Sequence, residues 1–266
     1  MTSWRMSSLL QPAVVLPFVL LCICVMLAFS AQAMANKPSP ADVLVQMQEG
    51  NERFVSGQSQ HPHTDAARLL QAGTEDQGDH ALATVITCSD SRVPVERIFD
   101  MGIMDVFVIR VAGNVVQTDE AGSIEYGLAH VHTPVMVVLG HTQCGAVTAV
   151  TRSLQGHGHE LERNIPPLVA PIAPAVQKAM ADHPDLADSD AVIPFAIEEN
   201  VRQGIRDLFM QSPSTRQLHS GGDVMVIGAI YDVATGKIAW MDPADTDAIL
   251  AEVEADPDRA MNAMAE

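Results

Sequence analysis

Three short apolar segments constrain the fold of this 266-residue chain more than any other feature. They are ALATVIT at 81–87, VFVIRVA at 106–112 and VMVVLGH at 135–141, and all are rich in β-branched residues. Helix-like patterns fill the intervals, at 121–131 and 146–154. Strands that are apolar almost throughout are buried on both faces, and they alternate with helices in parallel α/β sheets. The sequence therefore predicts an α/β fold with a mostly parallel central sheet flanked by helices.

Further elements are predicted on either side of this unit. Amphipathic spacing indicates additional helices, and a final pair of strands surrounds the turn ATGK. The predicted helices are 41–56, 65–72 and 195–212, and the strand pair lies within 223–241. The segment 156–194, rich in His, Pro and Ala, predicts a helical excursion. The acidic tail, 242–266, is expected to be helical and peripheral.

The N-terminus has the order of a secretory signal peptide. Arg5 is the only charged side chain before an apolar run at 13–29, and SAQAMA then offers cleavage near Ala33 or Ala35. An uncleaved membrane anchor is the alternative, although the run is at the lower edge of the length that spans a bilayer. We therefore predict that 1–33 is a signal peptide and that the protein is periplasmic or secreted, with no membrane attachment after cleavage.

Removal of that segment leaves a strongly acidic chain. Because Arg5 is the only charged side chain lost, the formal charge changes from −18 to −19. Such a surface argues against nucleic acid or anionic lipid as a partner.

Removal of 1–33 also reduces the cysteines from four to two, Cys88 and Cys144. Two cysteines in an oxidising compartment are typical of a disulfide, so a structural or redox-active disulfide is one interpretation.

The positions of the two cysteines favour a metal site instead. Cys88 directly follows the segment 81–87, whereas His141 and Cys144 stand at the end of 135–141. In parallel sheets the carboxyl ends of the strands form the ligand-binding edge. If these strands are neighbours, two thiolates and an imidazole converge, which is a zinc ligand set with the fourth position open.

Two charged residues stand close to Cys88. Asp90 follows it by two positions, and Arg92 follows Asp90 by two. A carboxylate beside zinc serves either as the fourth ligand or as acceptor of a proton from bound water. An arginine holds such a carboxylate by a charge-assisted pair. An ordinary salt bridge within the loop is the alternative interpretation.

The segments CSDSRVP (88–94) and GHTQCGAV (140–147) together resemble the β-class carbonic anhydrases. The resemblance extends from about Gln48 to Trp240. It implies that Cys88, His141 and Cys144 bind one Zn²⁺ per subunit. It also implies a catalytic dyad formed by Asp90 and Arg92.

The same resemblance implies an oligomer. The family has an N-terminal helical arm that embraces a second subunit, and 34–56 matches it, followed by the zinc domain at 57–241. We expect little of its own subunit to cover this arm, which would make the protein a homodimer or higher homo-oligomer. Phe107 and Tyr126 match aromatic positions near the active-site cleft, contributed across the dimer. Many relatives carry a substrate-binding glutamine where this chain has Asp79, so Gln77 is the nearest candidate.

The implied activity is the zinc-dependent reversible hydration of carbon dioxide to bicarbonate and a proton. Zinc-bound hydroxide, oriented by the Asp–Arg dyad, would attack carbon dioxide. Three alternatives remain open. The first is hydrolysis of carbon disulfide or carbonyl sulfide on the same site, and the second is a non-enzymatic zinc-binding protein. The third is a redox protein that uses Cys88 and Cys144.

Overall fold

The central sheet contains five strands, four of them parallel. A computed structural model describes residues 37–263, so the predicted signal peptide and its cleavage site lie outside the described residues. The strands are β1 (Ala83–Thr87), β2 (Val106–Arg110), β3 (Val135–His141), β4 (Met225–Tyr231) and β5 (Ile238–Trp240). Their order is β2-β1-β3-β4-β5, with β5 antiparallel to β4. The predicted fold class is confirmed.

Helices cover both faces of this sheet. Those before β4 are α1 (Pro40–Val55), α2 (Ala66–Ala72), α3 (Val95–Ile98), α4 (Thr118–Ala129), α5 (Gly145–Leu154), α6 (Ile165–Val169), α7 (Ala173–Asp182), α8 (Ile193–Gln211) and α9 (Pro213–Gly221). The last is α10 (Pro243–Ala255). The sequence patterns did not separate α3 or α9 from their surroundings. Within 37–263, no helix is long and apolar enough to cross a bilayer.

The apolar side chains form a core on each face of the sheet and a third cluster beyond its carboxyl edge. Helices α4, α8 and α10 pack on one face, and α1 and α3 on the other. The third cluster joins α5, α7 and the start of α8 to Cys88 and Cys144. Because Ile249 and Val253 of α10 are buried in the first core, the expectation of a peripheral tail is wrong for that helix.

Helix α1 is covered by its own subunit, contrary to expectation. Val43 and Met47 are fully buried in the same core as β1 and β3. Asn51 donates to the carbonyl oxygens of Ile98 and Gly236, at 3.1 and 2.9 Å. The helical spacing of the apolar residues correctly predicts this helix. That spacing does not indicate whether the apolar side packs on the same subunit or on a partner. A role of 34–56 in dimerisation stays a prediction.

Candidate metal centre

The pairing of β1 with β3 brings the predicted ligands together. The two strands are parallel neighbours, and Thr87 is in register with Leu139. Cys88 follows the first strand and His141 ends the second, so both reach the carboxyl edge of the sheet. The ligand atoms of Cys88, His141 and Cys144 all lie within 4.8 Å of one another, and all three residues are buried.

The turn between His141 and Cys144 is held in an unusual backbone conformation. Gln143 has a φ of 59°, in the left-handed region that side chains other than glycine rarely adopt. The Thr142 N–H donates to the Tyr231 carbonyl of β4 at 2.9 Å, which ties the turn to the sheet. Cys144 then serves as the N-cap residue of α5. The partial positive charge of a helix N-terminus favours a thiolate at this position.

The imidazole of His141 has one ring nitrogen bonded and one without a partner. Its Nδ1 lies 2.9 Å from the Thr142 carbonyl oxygen, which can only accept, so Nδ1 carries the hydrogen. Nε2 is buried and has no hydrogen-bond partner among the described residues. An unsatisfied buried polar atom costs on the order of 1–3 kcal/mol. A metal ion between this nitrogen and the two thiols would satisfy it, so the residues present fit a zinc ion.

The thiols of Cys88 and Cys144 are hydrogen-bonded to each other, which shifts their pKa values in opposite directions. The hydrogen bond from Cys144 lowers the pKa of Cys88 to about 4, although burial opposes the shift. The same bond, together with burial, raises the pKa of Cys144. A further donor to Cys88 is the Gly113 N–H, 3.3 Å from its Sγ. Both cysteines are free in the structure.

Asp90 and Arg92 form a pair directly beside this cluster. The Arg92 Nε and backbone N–H both donate to Asp90 Oδ1 at 2.9 Å, and Nη2 donates to Oδ2 at 2.7 Å. The Arg92 side chain therefore holds the pKa of Asp90 well below its usual range. Asp90 Oδ2 lies 4.0 Å from His141 Nε2, so the charged carboxylate borders the unpartnered nitrogen.

Two further residues fix the loop between Cys88 and Arg92. Arg110, at the end of β2, donates from Nε to the Cys88 carbonyl at 3.2 Å and from Nη2 to the Asp90 carbonyl. Gln143 accepts from Arg92 twice, through its side-chain oxygen at 3.2 Å and its backbone oxygen at 3.1 Å. The sequence did not assign these contacts. An arginine at the end of an apolar strand was the available signal for Arg110.

The weaker substrate-pocket candidates lie elsewhere in the subunit. Phe107 pairs with Thr84 of β1, whereas Arg110 pairs with Thr87 at the end of that strand. Phe107 is therefore three residues, or roughly 10 Å, back along β2 from Arg110. Tyr126 packs against Phe107 with ring centroids 6.0 Å apart and is 51% exposed. Gln77 lies in a 3₁₀ turn before the amino end of β1, so the full strand separates it from Cys88. Within one subunit, the fold therefore does not bring these three residues to the Cys–His–Cys cluster.

Replacing either thiol should remove most of the metal. We expect Cys88→Ser and Cys144→Ser to purify with little zinc, because a neutral hydroxyl is a poor substitute for a thiolate. Ser91→Ala, an exposed change in the same loop, should retain one zinc per chain. Metal content per chain is the measurement. A full zinc complement in either cysteine variant would show that the ligand set is different.

Comparison with known proteins agrees with this geometry. The family model described as carbonic anhydrase matches residues 83–238. Carbonic anhydrase 2 of Mycobacterium tuberculosis is 33% identical over 196 residues, covering 74% of this chain and 90% of the relative. Carbonic anhydrase 1 of Escherichia coli is 34% identical over 165 residues, covering 60% and 73%.

A solved structure shows the same fold. The β-carbonic anhydrase CafA of Aspergillus fumigatus superposes with a TM-score of 0.57 at 27% identity, covering 76% of this chain and 94% of that one. The region that the family model matches contains β1 to β4, the Cys–His–Cys cluster and the Asp90–Arg92 pair. This chain therefore belongs to the carbonic anhydrase family, in its β class.

Proposed function

We propose that this chain catalyses the reversible hydration of carbon dioxide to bicarbonate and a proton, with one Zn²⁺ held by Cys88, His141 and Cys144. The observation that carries the proposal is the unpartnered Nε2 of His141, enclosed with two thiols and bordered by an arginine-held carboxylate. Three protein ligands with an open fourth position are the catalytic arrangement of zinc. When bound, zinc supplies the Lewis acidity that makes a water molecule nucleophilic near neutral pH.

The role of Asp90 follows from its pairing. Because Arg92 holds the pKa of Asp90 well below its usual range, the carboxylate is ionised near neutral pH and can only accept a hydrogen bond. It therefore orients the attacking water through that bond. A carboxylate this acidic is a poor store for the released proton, which must leave through another group.

Arg92 prevents this carboxylate from reaching the metal position. Its Nε and Nη2 donate to the two carboxylate oxygens of Asp90, and its Nη1 donates to the side chain of Gln143 on the other side of the site. The resulting bidentate pair fixes the plane of the carboxylate as well as its charge. An unheld Asp90 would be free to turn towards the ligands and fill the position that the reacting water needs.

The dyad is tested by separating metal binding from turnover. Asp90→Asn should keep its zinc yet lose about 100-fold in hydration rate, the scale of loss when a reacting group is misoriented. Arg92→Ala should lose a similar factor by releasing Asp90. Asp182→Asn, an exposed acid also paired to a basic side chain, is the control and should match the unmodified chain. Stopped-flow hydration and zinc content are the measurements, and wild-type rates in Asp90→Asn would refute the mechanism.

The same assays distinguish the alternative functions. Carbon disulfide and carbonyl sulfide offer the same electrophilic carbon, so each is supplied in place of carbon dioxide. Faster turnover of either sulfur compound than of carbon dioxide would reassign the substrate. Zinc binding without any turnover would favour a non-enzymatic zinc-binding protein.

We also propose that the active unit is a homodimer, or a larger homo-oligomer, in which the partner supplies Phe107 and Tyr126. Support comes from β2, which is apolar but only half-buried, whereas β1 and β3 are fully buried. It is an edge strand, and unpaired edges of this kind invite a second chain. Exposed Leu69 and Leu70 stand on α2, which is joined to the start of β2 by the Arg68–Asp105 ion pair.

Mixed oligomers test this shared site. We expect Tyr126→Ala and Asp90→Asn to be weakly active when each is made alone. Co-expressed, they should recover about a quarter of wild-type activity, since a mixed dimer has one site with both residues intact. Co-expression of Asp90→Asn with Arg92→Ala is the matched control, because each change damages the dyad of the subunit that carries it and neither site of a mixed dimer is intact. No recovery in the first pair would place Tyr126 outside the partner's site.

We further propose that the protein works in the periplasm or outside the cell after loss of residues 1–33. The support is the order of Arg5, the apolar run 13–29 and SAQAMA. Expression with this segment should yield an exported chain that begins near Met34 or Asn36, whereas deletion of 1–33 should keep the chain inside the cell. N-terminal sequencing of each fraction is the measurement. An exported chain that still begins at Met1 would indicate a retained anchor.

A further inference from the structure

One face of α8 packs closely on the strands and turns that carry the candidate metal ligands. Asn200 is 3% exposed and Val201 is fully buried. At Gly204, one turn further on, a Cβ would lie 3.1 Å from Val138 Cγ1 of β3. At Gly140, next to the histidine of the cluster, a Cβ would lie 2.6 Å from Val201 Cγ2. Glycine at both positions therefore permits the helix to approach this closely.

A chain of two hydrogen bonds leads from α8 to the sulfur of Cys88. Asn200 Nδ2 donates to the Gly113 carbonyl oxygen at 2.8 Å, and the Gly113 N–H donates to Cys88 Sγ at 3.3 Å. Gly113 has a φ of 77°, and a Cβ there would lie 2.6 Å from Ile172 Cδ1. Only glycine fits, yet glycine is the residue whose backbone is least restrained. The orientation of its N–H therefore needs an anchor from outside the turn.

We propose that Asn200 is a positioning residue of the metal centre. By holding the Gly113 carbonyl, it keeps the Gly113 N–H on Cys88 Sγ and so sets how much charge this thiolate donates to the metal. An N–H···S bond stabilises and orients the thiolate form that binds a metal, so its loss weakens metal binding, and groups bonded to metal ligands commonly alter metal affinity 10- to 100-fold. The inference rests on the proposed function only in requiring a metal on Cys88.

Asn200→Asp tests the inference with almost no change in size, because a carboxylate oxygen cannot donate to the Gly113 carbonyl. We expect zinc affinity to fall about tenfold, and the thiolate-to-metal charge-transfer absorption of the cobalt-substituted protein to shift. Asn200→Ala should shift the same absorption. A merely structural role for Asn200 would lower the unfolding temperature without moving this absorption.

Asn51→Asp is the matched control. Asn51 is also buried, at 7% exposure, and its amide also donates to a glycine carbonyl, that of Gly236. Its partners belong to the opposite face of the sheet, so this variant should lose stability while zinc affinity and the cobalt spectrum stay at wild-type values. An unchanged affinity and spectrum in Asn200→Asp, or an equal shift in Asn51→Asp, would overturn the inference.

The wild-type protein provides a test that does not depend on variants folding. Loaded with a spin-active cadmium isotope, it should show a scalar coupling between the metal and the Gly113 amide proton, transmitted through the N–H···S bond. Absence of that coupling in a cadmium-loaded protein, or failure of the protein to bind cadmium at Cys88, would overturn the inference. Stopped-flow hydration is measured separately, so metal binding with coupling but without turnover would refute the proposed function and leave the role of Asn200 intact.

Discussion

The parallel pairing of β1 with β3 is the constraint on which the metal centre depends. The register that sets Thr87 beside Leu139 puts Cys88 next to His141, and the turn after β3 then returns Cys144 to the same point. Both strands are buried throughout, so a register slip would disrupt the packing of the cores on both faces of the sheet. His141 is thus positioned by a buried strand, and Cys88 and Cys144 lie within three residues of the ends of β1 and β3.

Close to this cluster, arginine side chains compensate the negative charge of the thiols and of a carboxylate. Two thiols and a carboxylate gather at one edge, and Arg92 and Arg110 supply the opposing charge and donors. Arg92 contacts the loops on both sides of the site, through Asp90 and through Gln143.

The sequence was sufficient for the fold class and for the convergence of Cys88, His141 and Cys144 at one edge of the sheet, and insufficient for contacts that depend on distant packing. The strand segments were predictable because β-branched residues run without interruption, as in VMVVLGH. The burial of α1 was predicted wrongly, since a helical apolar stripe such as Val43 and Met47 does not identify the surface it meets. The contact between Asn200 and Gly113 joins residues far apart in sequence, and nothing in the local pattern of α8 distinguishes that asparagine.

The separation of the ligands along the chain also has a consequence for the order of assembly. More than fifty residues lie between Cys88 and His141, and they include all of β2 and α4. No short segment of the unfolded chain can therefore offer all three donors to a metal ion, and the site exists only after β1 and β3 have paired. On the proposed function, metal uptake would therefore follow the pairing of these two strands. A chain that crosses a membrane in an unfolded state would acquire its metal from the compartment in which it folds.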